Sequence, residues 1–229
     1  MDITVLIKTF ERPKSCAALL TSVRQFYPDI PIVLVDDSKT PFRATGEHVT
    51  SIHLPFDSGV SKGRNAGVEK VQTRYTFLCD DDCVFTRDTD LNHLQKLLEE
   101  SGVDILGIQA SGVNYSGTYR IEGDTIYCDR GANAQGLYDF VPNIFLAKTE
   151  TLRQFKWDEE LKIGEHFAYF FEHQGKLKIG YTEDVSIIHD HQLTEDYSRY
   201  RNRAFDYVKS YLRSKGYKRR VDWHGTIEA

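Results

Sequence analysis

The chain has 229 residues, enough for one substantial hydrophobic core. Its 40% hydrophobic content and scattered charge argue against a disordered chain. A formal net charge of −5 gives it no overall attraction for nucleic acid, and no nucleic-acid partner is expected.

Residues 3–7 are a short apolar run and predict a first strand, broken by Glu11-Arg12-Pro13. Pro13 suits the first turn of a helix. Leu19, Leu20, Val23 and Phe26 recur at helical spacing, so 14–26 reads as an amphipathic helix. A second strand, 32–35, closes on Asp36-Asp37-Ser38, and 49–54 offers a third. A Gly-rich turn leads into Arg64-Asn65-Ala66-Gly67 and a helix to residue 72. The aromatic-rich run 75–79 predicts a buried strand that runs straight into Asp80-Asp81-Asp82. A helix over 88–100 buries Leu91, Leu94, Leu97 and Leu98, and 103–108 is the next strand. Strands alternating with helices predict an α/β domain around a mostly parallel sheet.

After Ala110 the pattern changes. Residues 115–119 and 125–129 flank Gly123-Asp124, a hairpin signal, with Tyr119 and Tyr127 expected at an exposed edge. Further strands are expected at 141–147, 178–181 and 185–188, with helices at 163–173 and 197–213. The chain reads as one domain, 1–229, in three stretches: 1–110, 111–196 and a basic helix and tail at 197–229. Cys16, Cys79, Cys83 and Cys128 lack a zinc spacing and read as free thiols. No window reaches membrane-spanning length and no basic lead precedes the first strand, so a cytoplasmic protein is expected.

Ligands of open parallel sheets bind beyond the carboxyl ends of the strands. Here those ends carry Lys8 to Arg12, Asp36-Asp37 and Asp80-Asp81-Asp82. Three adjacent carboxylates repel one another unless a cation lies between them, and hard oxygen ligands suit Mn2+ or Mg2+ bridging to phosphate. A solvated acidic turn is the simpler alternative. No dinucleotide-binding glycine pattern or P-loop is present, so a nucleotide would be held by side chains and metal. Arg64 reads as lying at a helix start, where a cation is unfavourable, which points to a ligand phosphate or to the aspartates. Trp157 reads equally as core or as a platform for a sugar ring.

In order along the chain, residues 4–12, Val35-Asp36-Asp37-Ser38, Gly63-Arg64-Asn65 and Asp80-Asp81-Asp82 resemble the motifs of GT-A fold, family-2-type glycosyltransferases. Residues 7–10, 24–28 and 80–86 further resemble the catalytic domain of the β-1,4-N-acetylgalactosaminyltransferases that build gangliosides. The resemblance implies an inverting transfer from a UDP-sugar, with a divalent ion, to a glycan or glycolipid acceptor, and makes 1–110 the nucleotide-sugar-binding half and 111–196 the acceptor and catalytic-base half. It places Thr9 and Arg12 in the nucleotide site and Asp37 at the uracil. Arg64 would support the diphosphate or the aspartates, Asp80 would face the ribose or sugar, Asp81 would touch the sugar or be structural, and Asp82 would bind the metal.

An inverting transfer needs a general base. Glu165 in Ile163-Gly164-Glu165-His166 is the candidate, with His166 and Glu172 as rivals, although many resembling enzymes carry Glu-Asp here. In Ile187-Ile188-His189-Asp190-His191 one of the two histidines is expected to bind the ion beside the carboxylates, and the resemblance favours His191. Asn143 lies where the resembling enzymes contact acceptor or donor. The basic helix at 197–213 can dock on the domain or rest peripherally on an anionic membrane. Two other readings stay open: a sugar-nucleotide nucleotidyltransferase, disfavoured by the missing glycines after the first strand, and a non-catalytic carbohydrate-binding protein.

Overall fold

The computed structural model describes residues 1–44, 46–113, 115–190 and 195–229. Strand β1 (Ile3–Thr9) is buried at every position, which a sheet achieves only when both faces are covered. Helix α1 (Pro13–Phe26) covers one face through Cys16, Leu19 and Val23. Strand β2 (Ile32–Asp36) is also buried throughout, and the more polar β3 (Val49–His53) closes that edge. Helix α2 (Val60–Val68) lies on the other face, where Val68 joins Leu6 and Val35. Strand β4 (Tyr75–Asp80), the short β5 (Cys83–Val84), helix α3 (Leu91–Ser101) and strand β6 (Ile105–Ala110) follow. Asp90 caps α3 by accepting from the Asn92 and His93 amides, and left-handed Gly102 ends it.

The second half contributes β7 (Gly117–Glu122), β8 (Thr125–Arg130), β9 (Phe145–Lys148), α4 (Thr149–Gln154), α5 (Glu165–Glu172), β10 (Ile179–His189), α6 (Glu195–Asn202), α7 (Ala204–Ser214), β11 (Arg219–Asp222) and β12 (Gly225–Glu228). The large sheet runs β3-β2-β1-β4-β9-β6-β10-β5. Pairing is parallel from β3 to β4 and between β6 and β10. It is antiparallel on both sides of β9 and at β5. A smaller sheet, β12-β11-β8-β7, packs its own hairpins together.

Several expectations change. The strands expected at 178–181 and 185–188 are one strand, β10, whose pairing with β6 shifts register between Thr182 and Ser186. The single helix over 197–213 is two, α6 and α7, which meet at Arg203. The hairpin β11–β12 has no counterpart in the sequence reading. Tyr119 is buried against Phe140, Phe167 and Phe171 instead of exposed. Helix α7 buries Val208, Tyr211 and Leu212, and the Tyr211 hydroxyl donates to Glu172 on α5 at 2.7 Å. Its apolar face is therefore used within the fold. The four cysteines are free and buried. Among the described residues no helix is long and apolar enough to cross a membrane.

The start of α2 is tightly constrained. Gly59 precedes it at φ 99°, and a Cβ there would lie 2.6 Å from the Lys162 Cα. Its amide donates to Asp37 Oδ2 at 2.7 Å. Gly59→Ala is expected to destabilise the protein by about 1–3 kcal/mol through backbone strain alone. Urea denaturation would measure this, and an unchanged midpoint would contradict the close approach.

Candidate active site

Because β1, β2 and β4 run parallel, their polar ends reach one edge of the sheet. The register sets Lys8 beside Asp80 and Thr9 beside Asp36. Glu11 adopts φ 54°, and the turn brings Arg12 back over the aspartates. Thr9 Oγ1 donates to Asp81 Oδ2 at 2.6 Å. Arg12 donates to Asp82 Oδ2 at 2.7 Å and also to Asp81. Lys8, a cation inside a buried strand, pairs with Asp37. That lysine is named among the strand-end residues in the sequence but is given no role there, although its place in an apolar run was the available signal.

Arg64 joins the two halves of the cleft. It lies in the second turn of α2, not at its start, and is only 2% exposed. One guanidinium nitrogen donates to Asp80 Oδ1 at 2.9 Å and the other to Glu165 Oε1 at 2.6 Å. Asn143 Nδ2 donates to the same Glu165 oxygen at 3.1 Å. Gly164, at φ 81°, turns the chain into α5 and delivers Glu165 from its first position.

Strand β5 follows the aspartates directly and pairs with the end of β10, His189 opposite Cys83. The Asp190 amide donates to the Asp82 carbonyl at 2.7 Å. This register sets His189 Nε2 3.1 Å from Asp82 Oδ1, an oxygen that is buried and accepts no well-aligned hydrogen bond among the described residues. Ligand atoms of Asp80, Asp82 and His189 all lie within 4.8 Å of one another. His191, the metal ligand favoured from sequence, lies outside the described residues. Trp157 is core: it stacks on Tyr169 with ring centres 4.4 Å apart.

These residues line one cleft of about 730 Å3, which holds Thr9, Arg12, Asp37, Arg64, Asp80 to Asp82 and Glu165. Helix α6 roofs part of it. The Arg12 guanidinium lies 4.2 Å from the Tyr197 ring centre, and Tyr200 meets Phe10 edge-on. The sequence reading missed both tyrosines, because contacts this distant leave no local pattern.

The electrostatics divide the triplet. Burial raises the Asp81 carboxyl to about 6 against the pull of Arg12 and Thr9. Burial also opposes ionisation of Asp82, but His189 and Arg12 overcome it and hold that carboxyl at about 2. Burial raises Asp80 while Arg64 opposes the shift. Removal from water lowers His166 to about 4, and its Nε2 lies 2.6 Å from the Val141 carbonyl. A neutral His166 therefore carries its proton on Nε2, directed at that carbonyl.

The sequence profile of the glycosyl transferase family 2 matches residues 4–174, and the chain belongs to that family. Human beta-1,4 N-acetylgalactosaminyltransferase 1 is 33% identical over 230 aligned residues, which span 87% of this chain and 43% of that protein. Mouse beta-1,4 N-acetylgalactosaminyltransferase 2 is 33% identical over 199, spanning 82% and 39%. The chain thus spans less than half the length of these relatives. Residues 1–349 of S. aureus TarS, in complex with UDP-GlcNAc, share the fold with a TM-score of 0.64 at 19% identity, over 86% of this chain and 61% of that one. The expected GT-A architecture is the one observed, with β9 as the antiparallel interruption of its sheet.

Two outcomes follow from the buried charges. Arg64→Met leaves Glu165 and Asp80 facing each other without a cation, and should cost about 3–5 kcal/mol in urea denaturation. A cost under about 1 kcal/mol would place this pair with weak surface bridges. For His166, the unfolded chain takes up a proton near 6.5 and the folded one only near 4. Stability should therefore fall as pH drops through that interval, and His166→Asn should flatten this part of the profile. An identical slope in the variant would remove His166 from the account.

Proposed function

We propose that the cleft transfers a sugar from a UDP-sugar to a hydroxyl of a glycan or glycolipid acceptor, with inversion at the anomeric carbon. The observation that carries this reading is the convergence of Asp80, Asp82 and His189 beside Glu165, with Arg64 between Asp80 and Glu165. Membership of glycosyl transferase family 2 and the similarity to N-acetylgalactosaminyltransferases support the reaction class. An N-acetylhexosamine is the proposed sugar.

The residues fit a divalent cation. Arg12 and Arg64 are the two guanidiniums facing four carboxylates, Asp80, Asp81, Asp82 and Glu165, so the carboxylates outnumber the guanidiniums by two. Buried Asp82 Oδ1 offers a lone pair without a well-aligned hydrogen-bond donor. Asp80, Asp82 and His189 would hold Mn2+ or Mg2+, and the family resemblance adds His191. Such an ion would neutralise the diphosphate as it leaves.

The chain's own side chains do the rest. Thr9, Arg12 and Asp37 surround the nucleotide, with Asp37 at the uracil. Asp80 and Asp81 face the ribose and the sugar, and Arg64 supports the diphosphate end. Glu165 takes the proton of the attacking hydroxyl. Its Oε1 is engaged by Arg64 and Asn143, which aims the other oxygen at the acceptor. Attack opposite the leaving UDP inverts the configuration. A peripheral contact of α6 and α7 with an anionic surface would rest on their exposed basic side chains.

UDP release from UDP-GalNAc and UDP-GlcNAc should require Mn2+ or Mg2+ and disappear with EDTA. Asp82→Ala should abolish it with folding intact, whereas unchanged release would sink the metal assignment. Glu165→Gln should keep UDP binding and lower kcat by about 10²–10⁴-fold. Preference for GDP- or dTDP-sugars in the same assay would overturn the uridine assignment.

A further inference from the structure

The other end of the cleft has an unassigned cluster. Resting on the reading above, the nucleotide takes the end lined by Thr9, Arg12 and Asp37. An acceptor must then reach Glu165 from the side lined by Tyr115, Arg130, Trp223 and His224. A chain of ring contacts leads there from the base. His166, next to Glu165, lies 5.0 Å from Tyr115, and Tyr115 lies 5.2 Å from Trp223. Arg130 at the end of β8 rests over the Trp223 ring, 4.5 Å from its centre.

We propose that Arg130 and His224, held by the Trp223 turn, form the acceptor subsite and hydrogen-bond a saccharide ring whose hydroxyl faces Glu165. Three features set the cluster apart from ordinary surface. Arg130 is exposed and has no acidic partner among the described residues, whereas Arg120 on the same hairpin is bonded to Asp129 at 2.8 Å. An arginine held over an aromatic ring at a cleft mouth keeps its nitrogens for a ligand. The platform is also rigid. Trp223 packs on Tyr115 and Phe140, and buried Arg220 ties Asp222 to the Tyr115 hydroxyl. The Asp222 carboxylate accepts from the His224 amide at 2.8 Å and fixes the turn. Finally, Trp223 and His224 stand on β11–β12, beyond the 4–174 span shared with the family. A specificity element belongs outside the shared catalytic core, where it can vary without disturbing transfer.

The test uses the full chain on an immobilised glycan array, with UDP and Mn2+ present. Arg130→Ala and His224→Ala alter exposed side chains, so thermal melting should be unchanged. Capture of the saccharides bound by the wild type should fall about tenfold or more. UDP binding by calorimetry and the slow hydrolysis of UDP-sugar by water should stay within about twofold, as expected of sites with no shared contact. Capture unchanged in both variants, UDP binding falling in parallel, or no capture by the wild type would each overturn the subsite. Absence of hydrolysis in the wild type would instead count against the proposed reaction. The array reads saccharide binding in either case.

Discussion

A buried guanidinium is stable only where carboxylates meet it, and Arg64 meets two that come from opposite halves of the chain. Asp80 ends β4 and Glu165 begins α5. Arg64 can reach both only because α2 lies low on the sheet. The glycines of α2 permit this: a Cβ on Gly67 would lie 2.3 Å from Leu6 Cδ1, and one on Gly63 would meet the Lys8 side chain. The Gly-rich stretch thus acts through packing. It lowers the helix until its arginine enters the carboxylate layer.

Arg12 plays the matching part on the other side of the triplet. Between them the two arginines engage Asp80, Asp81, Asp82 and Glu165 without balancing their charge. The imbalance is placed asymmetrically. Asp81 is deepest, rises to about 6 and bonds to Thr9, which suits a structural or sugar-contacting role. Asp82 stays ionised at about 2 and turns one oxygen toward His189. Neighbouring residues of one type therefore differ in chemistry because of depth and partners.

Much of this arrangement was legible along the chain. Apolar runs ending in Asp36-Asp37 and Asp80-Asp81-Asp82 showed which strand ends would meet, since parallel strands bring like ends to one edge. Glu165 was legible from Gly164 and the aromatic helix behind it. The insertion of β9 between β4 and β6 was not, because pairing order is set by contacts far apart in sequence. The same holds for His189, whose place depends on a two-residue ladder with β5. Along an extended chain residues two apart share a face, and only the partner strand decides which face of β10 meets the aspartates.

The C-terminal segment carries this further. By composition it is a basic tail, which suggests an interaction surface. In the fold its charge has several distinct uses. Arg203 reaches Asp57 at 3.2 Å, Lys215 reaches Glu172 at 2.6 Å, and Arg220 is buried behind the Trp223 turn. Tyr197 and Tyr200 then pack on Arg12 and Phe10, while Trp223, beside Tyr115, lines the same cleft. One segment thus lines the same cleft as the strand ends of the first half of the chain. Removing it would strip the cleft of the Tyr197, Tyr200, Trp223 and His224 side chains that line it and would uncover the core that Val208, Tyr211 and Leu212 close.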